Sequence, residues 1–298
     1  MIKHGHWKRM TKADIIFEVI LIAISALLFV IVVYPMWFII IASFSDPGKV
    51  GSGQVWLWPV SFNLYGYDQV FHNSRIWIGY KNTIIYTLLS TIAQLIVTLP
   101  AAYTLSRKNV LLKGPIMFLF TVALFFNGGM IPTYFVYKAY NMLDTLWVMI
   151  LPSALGIYNM IIARTFFQNN IPDELLNAAQ IDGCTDFRFF IQMVIPLSSA
   201  IIAVVALYQA VAMWNSYMDA LLYLRNQSRI PLQLVLREIL VATSNDTRNA
   251  GTGEDVLATL REAVKYCVII VSTLPLMVVY PFLQKYFNKG VMIGAVKG

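Results

Sequence analysis

The fold of this chain is decided by Asp173-Glu-Leu-Leu-Asn-Ala-Ala-Gln-Ile-Asp-Gly183, a polar stretch between long apolar runs that is followed by Met193-Val-Ile-Pro196. The stretch predicts a short helix, because Pro172 suits a first helical position and Asp173 and Glu174 place negative charge at the positive end of the helix dipole. Gly183 predicts its end, since glycine readily adopts the left-handed conformation that stops a helix. We therefore expect one polar helix within an otherwise apolar protein.

One face of this helix is predicted to dock another protein. Leu175, Ala178, Ala179 and Asp182 fall at i, i+3, i+4 and i+7, so an ideal helix places them on the same side. Two alanines on that face leave a shallow surface that a partner can approach closely. In a membrane protein, an exposed polar helix of this kind indicates a cytosolic partner.

The composition indicates a membrane-embedded chain. Of the 298 residues, 58% are hydrophobic and only 12% are charged, whereas a soluble domain carries about 25% charged residues. The net charge of +7 could suggest nucleic acid, but the basic residues cluster at the ends of apolar runs, as expected of cytosolic loops in membrane proteins. The clusters are Lys3, Lys8, Arg9 and Lys12; Arg107, Lys108 and Lys113; and Lys285, Lys289 and Lys297.

Six apolar runs are long enough to cross a bilayer, which requires about 20 residues per helix. They cover 15–44, 82–106, 115–138, 145–167, 194–223 and 264–286. We expect an all-α membrane protein with a cytosolic N-terminal tail, 1–14, a transmembrane domain, 15–288, and a cytosolic C-terminal tail, 289–298. The loops 107–114 and 168–193 then lie in the cytosol, and 45–81, 139–144 and 224–263 lie outside.

Two segments carry further structural predictions. In the outer segment 224–263, residues 231–240 predict a short amphipathic helix, 243–253 a polar turn-rich stretch, and 255–265 a second helix that leads into the last span. The two glycines and the proline of Asn127-Gly-Gly-Met-Ile-Pro132, in the middle of the third span, imply a helix that is either broken or closely packed.

The sequence offers little for catalysis. It contains no H-E-x-x-H, G-x-S-x-G or C-x-x-C pattern, which disfavours a membrane-bound enzyme or a metal site. It also contains no G-x-x-x-x-G-K-[ST] loop, so any ATP that drives this protein must be hydrolysed by another polypeptide.

Polar and aromatic residues within the spans could line a substrate path, because sugar rings stack on aromatic faces while their hydroxyls pair with amides and carboxylates. Alternatively, such residues form hydrogen bonds that hold the helices together. The candidates are Asn127, Tyr134, Gln209, Trp214, Asn215, Tyr217 and Asp219.

The polar stretch resembles the EAA loop of ABC-importer permeases, whose pattern is E-A-A-x3-G-x9-I-x-L-P. The corresponding residues are Asn177, Ala178, Ala179, Gly183, Met193, Ile195 and Pro196. Asn177 replaces the family's glutamate, so the contact of that acid is absent here or is made by Glu174 or Asp182.

With six predicted spans, the chain is similar over 12–298 to permeases of the carbohydrate-uptake branch, which includes the maltose permeases. Residues 126–134, 231–237 and 289–298 are similar to a subgroup that handles complex or acid-containing oligosaccharides. The resemblance implies a type I importer permease fold with a cytosolic coupling helix in the bacterial cytoplasmic membrane. It assigns ATPase coupling to Asp173, Glu174, Leu175, Asn177, Ala178, Ala179, Asp182, Gly183 and Pro196.

The resemblance also implies partners. These are a second permease subunit in a heterodimer, two ATPase subunits that carry ATP and Mg, an extracytoplasmic binding protein, and membrane lipid, with no nucleic acid. Lys289, Gly290 and Gly294 of the C-terminal tail would reach between the ATPases. The alternative is a stand-alone secondary carrier or channel, which would need an intramembrane coupling site for which the spans offer only Asp219.

Overall fold

The computed structural model describes residues 11–249 and 264–278, and every regular element within these ranges is helical, as predicted. The helices are α1 (Lys12–Ser43), α2 (Pro47–Gly51), α3 (Tyr65–His72), α4 (Ser74–Ser106), α5 (Lys113–Phe125), α6 (Met130–Ala139), α7 (Trp147–Ile150), α8 (Ile157–Asn170), α9 (Asp173–Ile181), α10 (Asp186–Phe189), α11 (Ile195–Leu197), α12 (Ser199–Trp214), α13 (Met218–Tyr223), α14 (Leu232–Asn249) and α15 (Val264–Val278). A π-helical turn covers Phe190–Val194, and short 3-10 turns cover Leu151–Ser153 and Gln227–Arg229.

Three of these stretches are long and apolar enough to cross a membrane as they stand: α1, α4 and Trp147–Asn170, which includes α7 and α8. Two bent pairs of helices qualify if each pair counts as one span, so the described residues contain up to five. α15 is apolar but shorter. The predicted sixth span, 264–286, and the tails 1–14 and 289–298 lie partly or wholly outside the described residues.

The third span, predicted as one run over 115–138, is broken. The axes of α5 and α6 differ by 117°. Gly129 at the break has a positive φ of 84°, and its N–H donates to Asn127 Oδ1 at 2.9 Å. A Cβ at Gly128 or Gly129 would meet no atom within 4 Å, so these glycines break the helix and do not serve close packing.

The prediction that the fifth span is a single helix over 194–223 is wrong. Residues Asp186–Leu197 form an arm that meets α12 at an angle of 82°. Within the arm, Pro196 lacks the N–H that a continuous helix would use, and the π-helical turn directly precedes α11. α12 then ends at Trp214, and α13 begins only at Met218.

α14 is longer than the predicted helix over 231–240, since it runs to Asn249. Residues 241–249 include Thr, Ser, Asn and Asp but neither glycine nor proline, so no strong helix breaker lies among them. The rest of the predicted turn-rich stretch and most of the helix predicted over 255–265 fall in 250–263, outside the described residues.

The chain divides into two compact units. The first includes the described residues 11–72, 242–249 and 264–271, and its apolar cluster is formed by Ile41, Ala42, Val50 and Val55. The second includes the described residues 73–241 and 272–278 and contains the candidate sites. Its core is built on α4, α8 and α12, and an apolar cluster there extends to Ala179 of α9 and to Phe189 and Phe190 of the arm.

Helix α4, the centre of the second unit, buries a largely polar stripe and exposes apolar side chains. Its buried residues include a series spaced four positions apart: Tyr86, Ser90, Gln94, Thr98 and Ala102. Leu88, Ile92 and Ile96 are exposed. This arrangement suits a helix surrounded by lipid, where polar side chains avoid the hydrocarbon by facing the protein interior.

Candidate coupling segment and transport cleft

The polar helix of the sequence is α9, which we call the docking helix. It begins at Asp173, and Pro172 caps it from one residue outside, so the prediction of Pro172 as the first helical residue is wrong by one position. Gly183 adopts the predicted left-handed conformation, with φ of 76°. The chain is closed there by a hydrogen bond from the Cys184 N–H to the Ala179 carbonyl at 2.9 Å.

The two alanines of the docking helix face in different directions, contrary to the prediction of a shared outer face. Ala179 is buried, and Leu175, one turn earlier, packs against the same core. Ala178 is exposed, as are Asn177 and Asp182. Because adjacent residues point about 100° apart on a helix, burying Leu175 and Ala179 turns Ala178 outward. The outer surface therefore carries one alanine.

Two exposed apolar side chains near the end of the docking helix were not predicted from the sequence. Ile181 is 87% exposed and Phe187 is 76% exposed, although both belong to the polar segment between the spans. Large apolar groups exposed together in a polar region mark protein interaction sites. In the sequence, these two residues could have been found because they are apolar but do not fall on the inner face of the helix.

Arg107 fixes the start of the docking helix, and its side chain is only 11% exposed. Its guanidinium donates to the carbonyls of Phe167 at 3.2 Å and Ile171 at 3.1 Å, and to Asp173 Oδ1 at 3.2 Å. It also lies 5.0 Å from the ring centroid of Tyr103. This one cation therefore connects the end of α4 to the end of α8 and the first residue of α9.

Neighbouring lysines extend this anchor. Lys108 Nζ lies 3.0 Å from Asp173 Oδ2, but its side chain is largely exposed. Lys113 Nζ donates to the Arg107 carbonyl at 2.8 Å. In the sequence, Arg107, Lys108 and Lys113 indicate only the charge bias of a cytosolic loop. Nothing in their spacing predicts that the Arg107 side chain is largely buried.

The arm that follows the docking helix is packed onto the same end of α4 by aromatic rings. The Tyr103 ring centroid lies 5.1 Å from that of Phe190, 6.5 Å from that of Phe189 and 6.0 Å from that of Phe167. We call the docking helix together with the arm the docking segment. Arg107 and Tyr103 thus attach both ends of this segment to α4, and Pro196 lies on the exposed side of the arm.

The structure separates the seven candidates for a substrate path. Trp214 is buried and donates through Nε1 to the Ser272 carbonyl at 3.2 Å, which is a helix-to-helix bond. Asn215 donates to the Val211 carbonyl one turn earlier at 2.8 Å, and Asp219 accepts from Ser216 at 3.3 Å. Of these three contacts, only the Trp214 bond joins two helices, as the alternative reading requires, whereas the bonds of Asn215 and Asp219 are local.

The remaining candidates have other neighbours. Tyr134 stacks on Tyr223 with ring centroids 6.4 Å apart, and Tyr217 lies under the Arg237 guanidinium at 5.5 Å. Asn127 shapes the break between α5 and α6, as described above. Gln209 lines a cleft formed by described residues, and its companions there were not in the candidate set.

This cleft, the transport cleft, has a volume of about 830 Å³ and lies between α4, the start of α8 and α12, beside α5. Three buried amides line it: Gln94, Asn159 and Gln209, with exposed fractions of 1%, 9% and 5%. Asn159 Nδ2 donates to Gln94 Oε1 at 3.3 Å. Tyr158 and Tyr208, both exposed, stand at its edge. The sequence could not group these residues because they come from three distant segments.

At the other end of α4, the loop after α13 is held by hydrogen bonds. Asp144 Oδ1 accepts from the N–H groups of Asn226 at 3.0 Å and Arg225 at 3.1 Å. The Asn226 bond lowers the pKa of the Asp144 carboxyl below its usual value. Asn82 and Tyr86 of α4 donate to carbonyls of residues 228–230. This end of the unit is therefore fixed by backbone contacts.

This chain is similar to known membrane components of transport systems. The family model described as "Binding-protein-dependent transport system inner membrane component" matches residues 76–293. The polygalacturonan/rhamnogalacturonan transport system permease protein YtcP of Bacillus subtilis (strain 168) is 37% identical, over 95% of this chain and 99% of that protein. Protein LplC of the same organism is 36% identical, over 98% of this chain and 99% of that protein.

A solved structure is also similar to this chain. A chain of the crystal structure of a bacterial ABC transporter involved in the import of the acidic polysaccharide alginate superposes with a TM-score of 0.84 at 29% identity, covering 93% of this chain and 99% of that one. The fold is therefore the type I ABC permease fold, and the protein is integral to the inner membrane. The chain belongs to the family of inner membrane components of binding-protein-dependent transport systems, and it is the permease subunit of an ABC importer, not an enzyme.

Proposed function

We propose that this subunit carries an acid-containing oligosaccharide across the membrane, together with a second, different permease subunit, two ATPase subunits and an extracytoplasmic binding protein. Family membership supports such partners in general. The substrate class rests on the names of the relatives, which transport polygalacturonan or rhamnogalacturonan and alginate. ATP and Mg would be bound by the ATPase subunits.

The observation that carries the coupling role is the docking helix, which is fixed to α4 and α8 on one side and exposes Ala178 and Ile181 on the other, followed by the exposed Phe187 of α10. We propose that the exposed side enters a cleft on an ATPase subunit. Asn177, Glu174 and Asp182 would contact the ATPase directly. Leu175, Ala179 and Asp173 would hold the helix in place, Gly183 would end it, and Pro196 would shape the arm.

Movement of the ATPases would then reach the spans through two connections. The first runs through Arg107 to the ends of α4 and α8, and the second through Phe189 and Phe190 to Tyr103. Because both connections are short and buried, the docking helix transmits displacement as a rigid body, which alternating access requires.

The proposed topology has six spans, with both termini and the loops 107–114 and 168–193 in the cytosol. Arg107, Lys108 and Lys113 support this orientation, because they cluster beside the docking helix at one end of α4. Lys289, Gly290 and Gly294, which lie outside the described residues, would contact the ATPases from the C-terminal tail.

Ala178→Asp tests the coupling role. The new carboxylate would be buried uncompensated at the interface with the ATPase, so we expect uptake in proteoliposomes to fall at least tenfold and the amount of ATPase subunit that co-purifies in mild detergent to fall as well. The matched control is Ala139→Asp, which places the same charge at an exposed alanine at the end of α6.

The two variants separate the possible results. Uptake lost in Ala178→Asp but kept in Ala139→Asp supports the coupling role of the docking helix. Normal uptake and normal ATPase retention in Ala178→Asp would refute it, provided that the variant is inserted in the membrane at the wild-type level.

A further inference from the structure

The transport cleft contains polar groups whose hydrogen bonds are not made within the described chain. The bond from Asn159 to Gln94 Oε1 uses one donor and one acceptor. It leaves the Gln94 amide nitrogen, the Asn159 carbonyl oxygen and both polar groups of Gln209 without a partner among the described residues. The side chains are at least nine-tenths buried, but these atoms keep some accessible surface at the cleft, so they are free to pair with water or with a ligand that replaces it.

The depth of the cleft suits a transport site. At the helical rise of about 1.5 Å per residue, Gln94 lies roughly 18 Å along α4 from Ser106 at its cytosolic end. The hydrocarbon core of a bilayer is about 30 Å thick. Gln94 therefore lies near the middle of the membrane, which is where transporters bind their substrates.

The chemistry of the cleft suits a sugar ring. Amides donate to and accept from hydroxyl groups, and the exposed rings of Tyr158 and Tyr208 offer faces for C–H groups. Its volume of about 830 Å³ lies within the range of about 300–1,000 Å³ typical of ligand sites. None of its described lining residues is charged; besides Gln94, they are 123–124, 152–153, 155–159, 207–209 and 211–212.

We propose that the transport cleft is a substrate-binding site of this subunit, and that it binds the hydroxyl groups of one sugar ring through Gln94, Asn159 and Gln209. This inference rests on the proposed function as an oligosaccharide importer. It adds that the carboxylates of an acidic oligosaccharide point away from this subunit, because a carboxylate in a cleft without a cation would be desolvated and unpaired.

The absence of a side chain at Gly156 supports a preformed binding site. A Cβ at this position would lie 2.3 Å from Gln94 Nε2 and 3.3 Å from Asn159 Nδ2. Glycine therefore leaves the space in which the two amides meet, and a larger residue would push the Gln94 amide, the flexible end of a side chain, out of this position. The φ of Gly156 is −82°, which any residue can adopt, so the requirement comes from the neighbouring amides and not from the backbone.

The test uses the whole transporter in proteoliposomes, with its partner permease, ATPases and binding protein, and two radiolabelled probes: tetragalacturonate and neutral galactotetraose. The variant is Gln209→Leu. Because Gln209 forms no hydrogen bond with the described residues, this change breaks no bond among them and keeps a similar volume. We expect three- to tenfold slower uptake of whichever probe the wild type transports, as for the loss of about one hydrogen bond.

Substrate contact is measured separately by cysteine protection. Cys184 is replaced by serine, Cys267 is left because it is buried, and Ala212→Cys introduces a thiol that lines the cleft. We expect the transported probe, in the presence of the binding protein and ATP, to slow maleimide labelling of this cysteine, measured by mass spectrometry on this chain. Ser199→Cys, at the start of α12 and outside the cleft, is the control and should not be protected.

The outcomes distinguish this inference from the function on which it rests. If the wild type transports neither probe, the oligosaccharide proposal fails and the sugar site fails with it. If the wild type transports a probe but Gln209→Leu has normal uptake and Ala212→Cys is unprotected, the cleft is not a sugar site and the importer proposal stands. Slow labelling of Ala212→Cys without any sugar would indicate lipid in the cleft and would also overturn the inference. Phe118→Leu, an exposed α5 residue outside the cleft, should transport normally.

Discussion

The docking segment and the transport cleft both contact α4, roughly 18 Å apart along its axis, and they are held together by opposite chemistry. At the docking segment, the Arg107 cation binds two carbonyls and a carboxylate. At the cleft, neutral amides from three segments make one hydrogen bond among themselves. The first region pairs most of its polar groups, with the buried Tyr103 hydroxyl as an exception among the described residues, whereas the second leaves several amide groups unpaired.

This difference matches what each region would do in a transporter. A segment that transmits force must keep its shape throughout the cycle, and a largely buried cation with several hydrogen bonds is costly to displace. A site that binds and then releases a substrate cannot hold it through strong charge pairs. Weak neutral bonds, available only when a ligand is present, suit a transient site.

The largest expected effect comes from removing the charge at the docking segment. Arg107→Met leaves the carbonyls of Phe167 and Ile171 and the Asp173 carboxylate without their shared donor. We expect the local stability of the docking helix to fall by about 3 kcal/mol, as for breaking other buried pairs. Hydrogen exchange of the α9 amides in the intact complex would measure the change, together with loss of uptake.

Lys108→Met is the matched control for this prediction. Lys108 also pairs with Asp173, but its side chain is largely exposed, and exposed pairs contribute less than about 1 kcal/mol. If both variants change the exchange of the α9 amides equally, the enclosed position of Arg107 has no special role and the contrast between the two regions is lost.

An intermediate effect is expected from Gly156→Ala in the cleft. The new Cβ would displace the Gln94 amide, which is the flexible end of a side chain, at a cost of about 1–3 kcal/mol for overpacking. We expect a lower melting temperature of the purified transporter and slower uptake. If uptake is slower but Ala212→Cys is still protected fully by the probe, the position of the Gln94 amide is not important for binding.

The smallest effect is expected from Gly183→Ala at the end of the docking helix. A Cβ there meets no atom within 4 Å, so packing is unaffected, but the φ of 76° is unfavourable for alanine by about 1 kcal/mol. Faster hydrogen exchange in the last turn of α9 would show this cost. Gly183→Asn should lose less, because asparagine tolerates this conformation. Equal loss in both variants would indicate that the backbone conformation is not the cause.

The two glycines show which requirements can be read in a sequence. Gly183 follows a helical pattern directly, so its left-handed φ could be predicted from its neighbours in the chain. Gly156 has an ordinary φ, and its requirement comes from Gln94, which is distant in sequence. The same limit applies to Arg107, whose partners lie about sixty residues along the chain.

The sequence by itself determined the helical, apolar character of the chain and the polar docking helix with its charged start and glycine end, because each depends on residues that are adjacent or one turn apart. It placed an irregularity at Gly128 and Gly129 but left open whether the helix there is broken or closely packed. The tertiary structure alone decided that Ala179 faces inward and Ala178 outward, that the fifth span bends at the arm, and that Gln209 belongs with Gln94 and Asn159. These features depend on which faces of distant helices pack together, and helical periodicity gives the face of a helix without naming its neighbour.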